Sequence, residues 1–143
     1  MRRLKQSKQS KQSKQSNKLS KLSQIDCPKT VKESVCKLMT MLTTQYKVAL
    51  RDTPEEDLNY AFHHTLGRSI RNEFKLWHEN PKLINDCLKL MKRKYPDAYE
   101  ELKKYHATPR IKTLHPDEAS FLIIKEFWVK MNKQLNKNKA CKK

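Results

Sequence analysis

A 143-residue chain with a single glycine and six prolines has few ways of turning sharply, and that shortage decides its fold class. Hairpins and bulges draw on glycine for their left-handed positions. Helices joined by short connections need little of it and accept proline at their first position. Four of the six prolines stand where such starts would fall, at Thr53-Pro54, Asn80-Pro81, Tyr95-Pro96 and His115-Pro116, and Pro28 and Pro109 fall at element boundaries. The spacing predicts an all-α, compact, single-domain bundle of about four to six helices with disordered basic tails. It divides into a tail over residues 1–24, a helical domain over 25–135 and a basic C-terminal tail over 136–143.

Charge is segregated along the chain. Eight Lys and Arg residues fall within 1–24 and six lysines within 130–143, with no acid in either stretch, so 18 bases face 15 acids in between. The formal charge of +17 is therefore a property of the ends more than of the core. From Lys5 to Ser16 the tripeptide Lys-Gln-Ser repeats without variation. A period of three with almost no apolar side chains cannot bury enough surface to offset ordering entropy. Such a tail reads either as a polycation that holds nucleic acid nonspecifically through counterion release or as a solvated, slippage-expanded repeat. Cys27, Cys36, Cys87 and Cys141 show no zinc-ligand spacing, so reduced thiols in a cytoplasmic protein are expected, with no metal and no cofactor. No apolar run reaches membrane-spanning length, and no partnership with a membrane is expected.

Helix signals run through the core. Thr30 and Glu33 form a capping-box pattern ahead of Val31, Val35, Leu38 and Leu42, giving a first helix over about 31–43. A short helix is expected over Thr44–Arg51. Thr53-Pro54-Glu55-Glu56 then reads as N-cap, N1 proline and acidic first turn of a helix over 54–78. Asn80-Pro81 opens another that stops before Tyr95-Pro96, and Pro96–Tyr105 forms a short one. His115-Pro116 opens the last, apolar on two sides and hence central.

Wound as one helix, residues 54–78 place Phe62, Leu66, Ile70, Phe74 and Trp77 on a core-facing stripe. His64, Arg68, Arg71, Lys75 and His78 line the opposite face, which is either a phosphate-contacting stripe or a solvated helix surface. Trp77 and Trp128 are both expected in the core. His63 and Glu73 fall on or beside the apolar face and call for a partner, for which Arg110, His115 and Asp117 are the candidates. Gly67 lies mid-helix, where it costs up to about 1 kcal/mol relative to alanine, so a close helix approach or ligand access is expected there.

Two segments carry a family resemblance: Leu66-Gly67-Arg68-Ser69-Ile70-Arg71-Asn72-Glu73-Phe74-Lys75-Leu76-Trp77, and His115-Pro116-Asp117-Glu118-Ala119-Ser120 with the Ile123-Ile124 that follows. On these, and on Cys27-Pro28-Lys29-Thr30, the chain resembles a family of small bacterial and phage helical domains of unknown function. The resemblance implies a compact helical domain whose recurring pattern includes Gly67, Arg71, Asn72, Trp77, His115 and Asp117. It brings no activity. The function expected first is a non-catalytic module whose surface at Arg68, Arg71, Asn72, Glu73, His115 and Asp117 meets a protein partner, with an ion pair or hydrogen bond joining the two segments. The alternatives are a nucleic-acid binder using the tails and the His64 to His78 face, and a hydrolase or transferase with His63, Glu73 and His115 as acid and base groups. No P-loop, nucleophile elbow or zinc signature supports the last.

Overall fold

The computed structural model describes residues 27–141, with side chains through 135. The expected disorder of residues 1–24 lies outside the described residues. Among the described residues seven α-helices follow one another: α1 Val31–Met41, α2 Thr44–Asp52, α3 Leu58–Phe62, α4 Leu66–Glu73, α5 Pro81–Lys94, α6 Pro96–Tyr105 and α7 Pro116–Cys141, with a 3₁₀ turn at Glu55–Asp57 before α3. There is no strand among the described residues, and no described helix is long and apolar enough to cross a membrane. The helix number exceeds the expected range because the stretch read as one helix is a 3₁₀ turn and two helices.

The capping signals hold where a side chain closes the helix start. Thr30 Oγ1 accepts from the Glu33 N–H at 3.1 Å, while Glu33 Oε2 accepts from the Lys29 N–H at 2.8 Å. At the start of α7, Glu118 Oε2 reaches back to the His115 N–H at 3.3 Å, and His115 Nδ1 accepts from the Asp117 N–H at 3.1 Å. Thr53 behaves otherwise. Its hydroxyl donates backward to the Ala49 carbonyl at 2.7 Å and so closes α2, leaving Pro54 to begin a 3₁₀ turn with no side-chain cap.

α7 is the central element, packing against α1, α2, α3, α4 and α5. Ala119, Leu122, Ile123, Ile124 and Phe127 are buried along it, facing Leu38, Leu50, Leu58, Ile70, Phe74 and Leu83 from the other helices. Two buried sides on one helix explain why its apolar residues form no single stripe. Trp128 is half-buried and donates its indole N–H to the Thr53 carbonyl at 2.9 Å. The helix runs on to Cys141, where the sequence reading ended it near 135. No proline or glycine interrupts Asn136 to Cys141, so nothing in the backbone forces an earlier stop.

Cys87 is fully buried on α5, and burial first, then the neighbouring Asp86 carboxylate, push its thiol from 9.0 up to about 12. Burial and the hydrogen bond donated to Glu126 also push the Tyr95 hydroxyl up. Both folded groups hold protons that the unfolded chain releases. Stability should therefore be full below pH 9 and decline between pH 9 and about 12. Urea midpoints measured across that window should fall, and Cys87→Ala should flatten the decline.

Candidate functional site

The segment from Phe62 to Asn80 departs most from the expected single helix. The chain turns at 63–65, resumes as α4 and ends at Glu73. The end is a Schellman closure: the Leu76 N–H reaches the Arg71 carbonyl at 3.0 Å and the Lys75 N–H the Asn72 carbonyl at 3.4 Å, with Lys75 in the left-handed region at φ 57°. Glycine usually fills that position, and a lysine gives no signal of it in the sequence. The turn buries Leu76 and throws Trp77 outward to 47% exposure, so Trp77 is not the core residue that unbroken helical phasing predicts.

On α4 the buried sector takes in Leu66, Gly67, Ile70 and Arg71. Glu73 is exposed and makes no hydrogen bond or ion pair among the described residues, contrary to its expected need for a donor. Arg71 turns inward instead. Its Nε lies 3.3 Å from Asp117 Oδ1, its Nη1 donates to Ser120 Oγ at 3.1 Å, and its Nη2 donates to the His63 carbonyl at 3.1 Å. Ser120 Oγ in turn donates to the Asp117 carbonyl at 2.9 Å. The two polar segments thus meet, and the guanidinium fork ties the turn before α4 to the first turn of α7.

Gly67 makes room for that fork. A Cβ at 67 would stand 2.9 Å from Arg71 Nη1 and 3.2 Å from the Phe62 carbonyl oxygen. The missing side chain serves a cation from its own helix, neither a neighbouring helix nor an open ligand path.

Beside the clasp lies a cleft of about 690 Å³, bounded by the 76–81 segment, the start of α5, the 106–115 loop and the start of α7. Leu76, Ile84, Ile111 and Leu114 supply apolar floor, and Trp77 stands at its mouth with its ring edge-on to His115, centroids 5.7 Å apart. Because Nδ1 of His115 accepts a backbone N–H, the neutral ring fits this geometry, and its 3.6 Å approach to Asp117 Oδ2 is better read as proximity than as an ion pair. His78, His106, Arg110 and Lys112 edge the cleft. His106 Nε2 lies 3.7 Å from Glu118, while the Arg110 and Lys112 side chains have no ionic or hydrogen-bonding partner among the described residues. Neither the exposed Trp77 nor the cleft was legible as a site, since both depend on the Schellman turn and on a loop without periodicity.

The remaining candidates scatter. Arg68, Asn72 and His64 are exposed, Lys75 pairs with Glu79 at 3.5 Å, and with Arg71 buried the His64 to His78 stripe is not one continuous face. His63 is half-buried with its ring against His64, centroids 4.7 Å apart, and no hydrogen bond, ion pair or ring contact joins any two of His63, Glu73 and His115. No group of three His, Cys, Asp or Glu among the described residues could hold a metal ion.

Residues that sequence reasoning missed include Asn80, read only as a helix cap. It is 1% exposed, and its Nδ2 donates to the Pro28 carbonyl at 2.8 Å and the Phe74 carbonyl at 2.9 Å, while Oδ1 accepts from the Leu83 N–H at 3.4 Å. It pins the opening segment to the floor of the cleft.

No curated protein and no solved structure matches the chain. Residues 27–102, more than half of it, match the family described as a domain of unknown function, DUF6794. That stretch takes in Gly67, Arg71, Trp77 and Asn80 but ends before His115, so the clasp's other half lies beyond it. The chain belongs to the DUF6794 family of domains of unknown function.

Proposed function

We propose that this domain is a non-catalytic interaction module that takes a short segment of a partner protein, apolar at its centre and acidic around it, into the cleft at Trp77. The observation that carries this reading is Trp77 itself: a large aromatic side chain left 47% exposed at the mouth of an apolar-floored cleft. Buried aromatic anchors dominate the energy of protein contacts. Arg110 and Lys112, unpaired beside the floor, favour a carboxylate-bearing segment. His115, held by the α7 cap, fixes the Trp77 ring and links the cleft to the clasp. Arg68, Asn72 and Glu73 remain exposed on α4 as an outer surface, whereas Arg71 positions Asp117 without reaching solvent.

Selection of a displayed library of acidic, aromatic-bearing peptides on the full chain tests this. A selected peptide should lose about tenfold or more in affinity with Trp77→Ala, at an unchanged melting temperature. It should weaken further with Arg110→Glu. Failure to enrich any peptide, or enriched peptides indifferent to both substitutions, would overturn the reading.

A further inference from the structure

On a different side of the domain α1, α5 and α7 enclose a groove of about 600 Å³, continuous through Glu126 and Lys130 with a second hollow of about 310 Å³ along α7. Six cations line the two, Lys32, Lys89, Arg93, Lys94, Lys130 and Lys133, against two carboxylates, Asp86 and Glu126. Both carboxylates are already engaged. Asp86 accepts the Val31 N–H at 2.7 Å, and Glu126 holds Lys94 at 3.0 Å together with the Tyr95 hydroxyl. Lys32, Lys89, Arg93 and Lys133 are exposed and have no ionic or hydrogen-bonding partner among the described residues. Lys89 and Arg93 are four residues apart on α5, a like-charge spacing that destabilises a helix unless an anion lies between.

We propose that this groove binds the phosphate backbone of a single nucleic-acid strand. The floor contributed by Val31, Val35 and Leu90 is apolar and no aromatic ring lines it, so the groove offers charge and shape without a stacking platform. Binding is accordingly indifferent to base sequence. Concavity favours a strand over a bilayer, whose surface cannot enter a groove between helices. Position along the chain adds to this: Lys32 lies in the first turn after the eight cations of residues 1–24, and Lys130 and Lys133 lead into Lys137 and Lys139. It is independent of the Trp77 cleft and stands or falls separately from it.

The test is fluorescence anisotropy of a labelled uridine oligonucleotide with the full-length protein across a salt series. Lys89→Glu with Arg93→Glu should weaken binding about tenfold or more and flatten the slope of log affinity against log salt by about 1 to 2. Lys47→Glu with Lys104→Glu changes the net charge equally outside the groove and should have a much smaller effect. Lys89→Gln with Arg93→Gln gives the same direction at half the charge change and covers the case in which reversal disturbs α5. Equal losses from the two reversed pairs would reduce the groove to diffuse charge and overturn the proposal. So would unchanged affinity in the glutamine variant, or binding to phosphatidylserine vesicles with none to the oligonucleotide.

Discussion

Asn80→Asp should unfold the domain or nearly so, with a loss of roughly 3 to 5 kcal/mol in chemical denaturation. The change is isosteric, and aspartate is as good a helix N-cap as asparagine, so a surface cap would tolerate it. Asn80 is 1% exposed, however, and its amide faces two carbonyl oxygens, those of Pro28 and Phe74, and the Cys27 sulfur. The orientation of the amide is fixed by that company, since only the NH₂ end, with its two hydrogens, can donate to both carbonyls while Oδ1 takes the Leu83 N–H. A carboxylate would place negative charge against two lone pairs in a site closed to water. Asn80→Ser, which keeps a capping oxygen but replaces the two amide N–H donors with one shorter hydroxyl, should fall between wild type and Asp. An aspartate variant within about 1 kcal/mol of wild type would mean that those carbonyls are satisfied in another way.

The second large effect is at Arg71, whose replacement by alanine should cost about 2 to 4 kcal/mol and lower the melting temperature by roughly 10 °C. The side chain is 7% exposed, but Asp117 is 43% exposed, so the ion pair itself accounts for little of this. Most of the loss comes from the unfilled space and from the His63 carbonyl and Ser120 hydroxyl left without their donor. Lysine should not rescue it, because its three N–H donors radiate from one nitrogen and cannot span acceptors that Nε, Nη1 and Nη2 meet separately. Gly67 gives the signature of the mechanism. In the wild-type background Gly67→Ala should destabilise, because the new methyl group meets Nη1 at 2.9 Å. In the Arg71→Ala background the same change should be close to neutral, as the helix gain of up to about 1 kcal/mol offsets the remaining crowding at Phe62. Equal penalties in both backgrounds would dissociate the glycine from the arginine.

What the sequence made legible follows from where its signals are local. Thr30 with Glu33, Asn80-Pro81 and His115-Pro116 place helix starts correctly because the groups that close a helix lie within a few residues of it. The all-helical class follows from the scarcity of glycine, and the double-sided apolar pattern of α7 marks it as central. Helix ends were less visible. Lys75 and Ala107 both adopt left-handed backbone, at φ 57° and 50°, to close α4 and α6, and neither residue type advertises that conformation. Continuing α4 through Lys75 is what placed Trp77 in the core and turned Glu73 toward it. The clasp was legible as a meeting of two polar segments but not in its chemistry. Its donor is an arginine assigned to the outer face, because the width of a buried sector is set by the helix packed against it and not by the helix that carries it.

The position of α7 has a consequence for synthesis of the protein. Each helix that packs against it precedes it in the chain, so a ribosome releases α1 through α5 before their common partner exists. Leu50, Leu58, Ile70 and Phe74 then lack the helix at the centre of their core, and Arg71 has neither Asp117 nor Ser120. The core can therefore be completed only once α7 has cleared the exit tunnel, after the lysine-rich residues 1–24 have long been extruded.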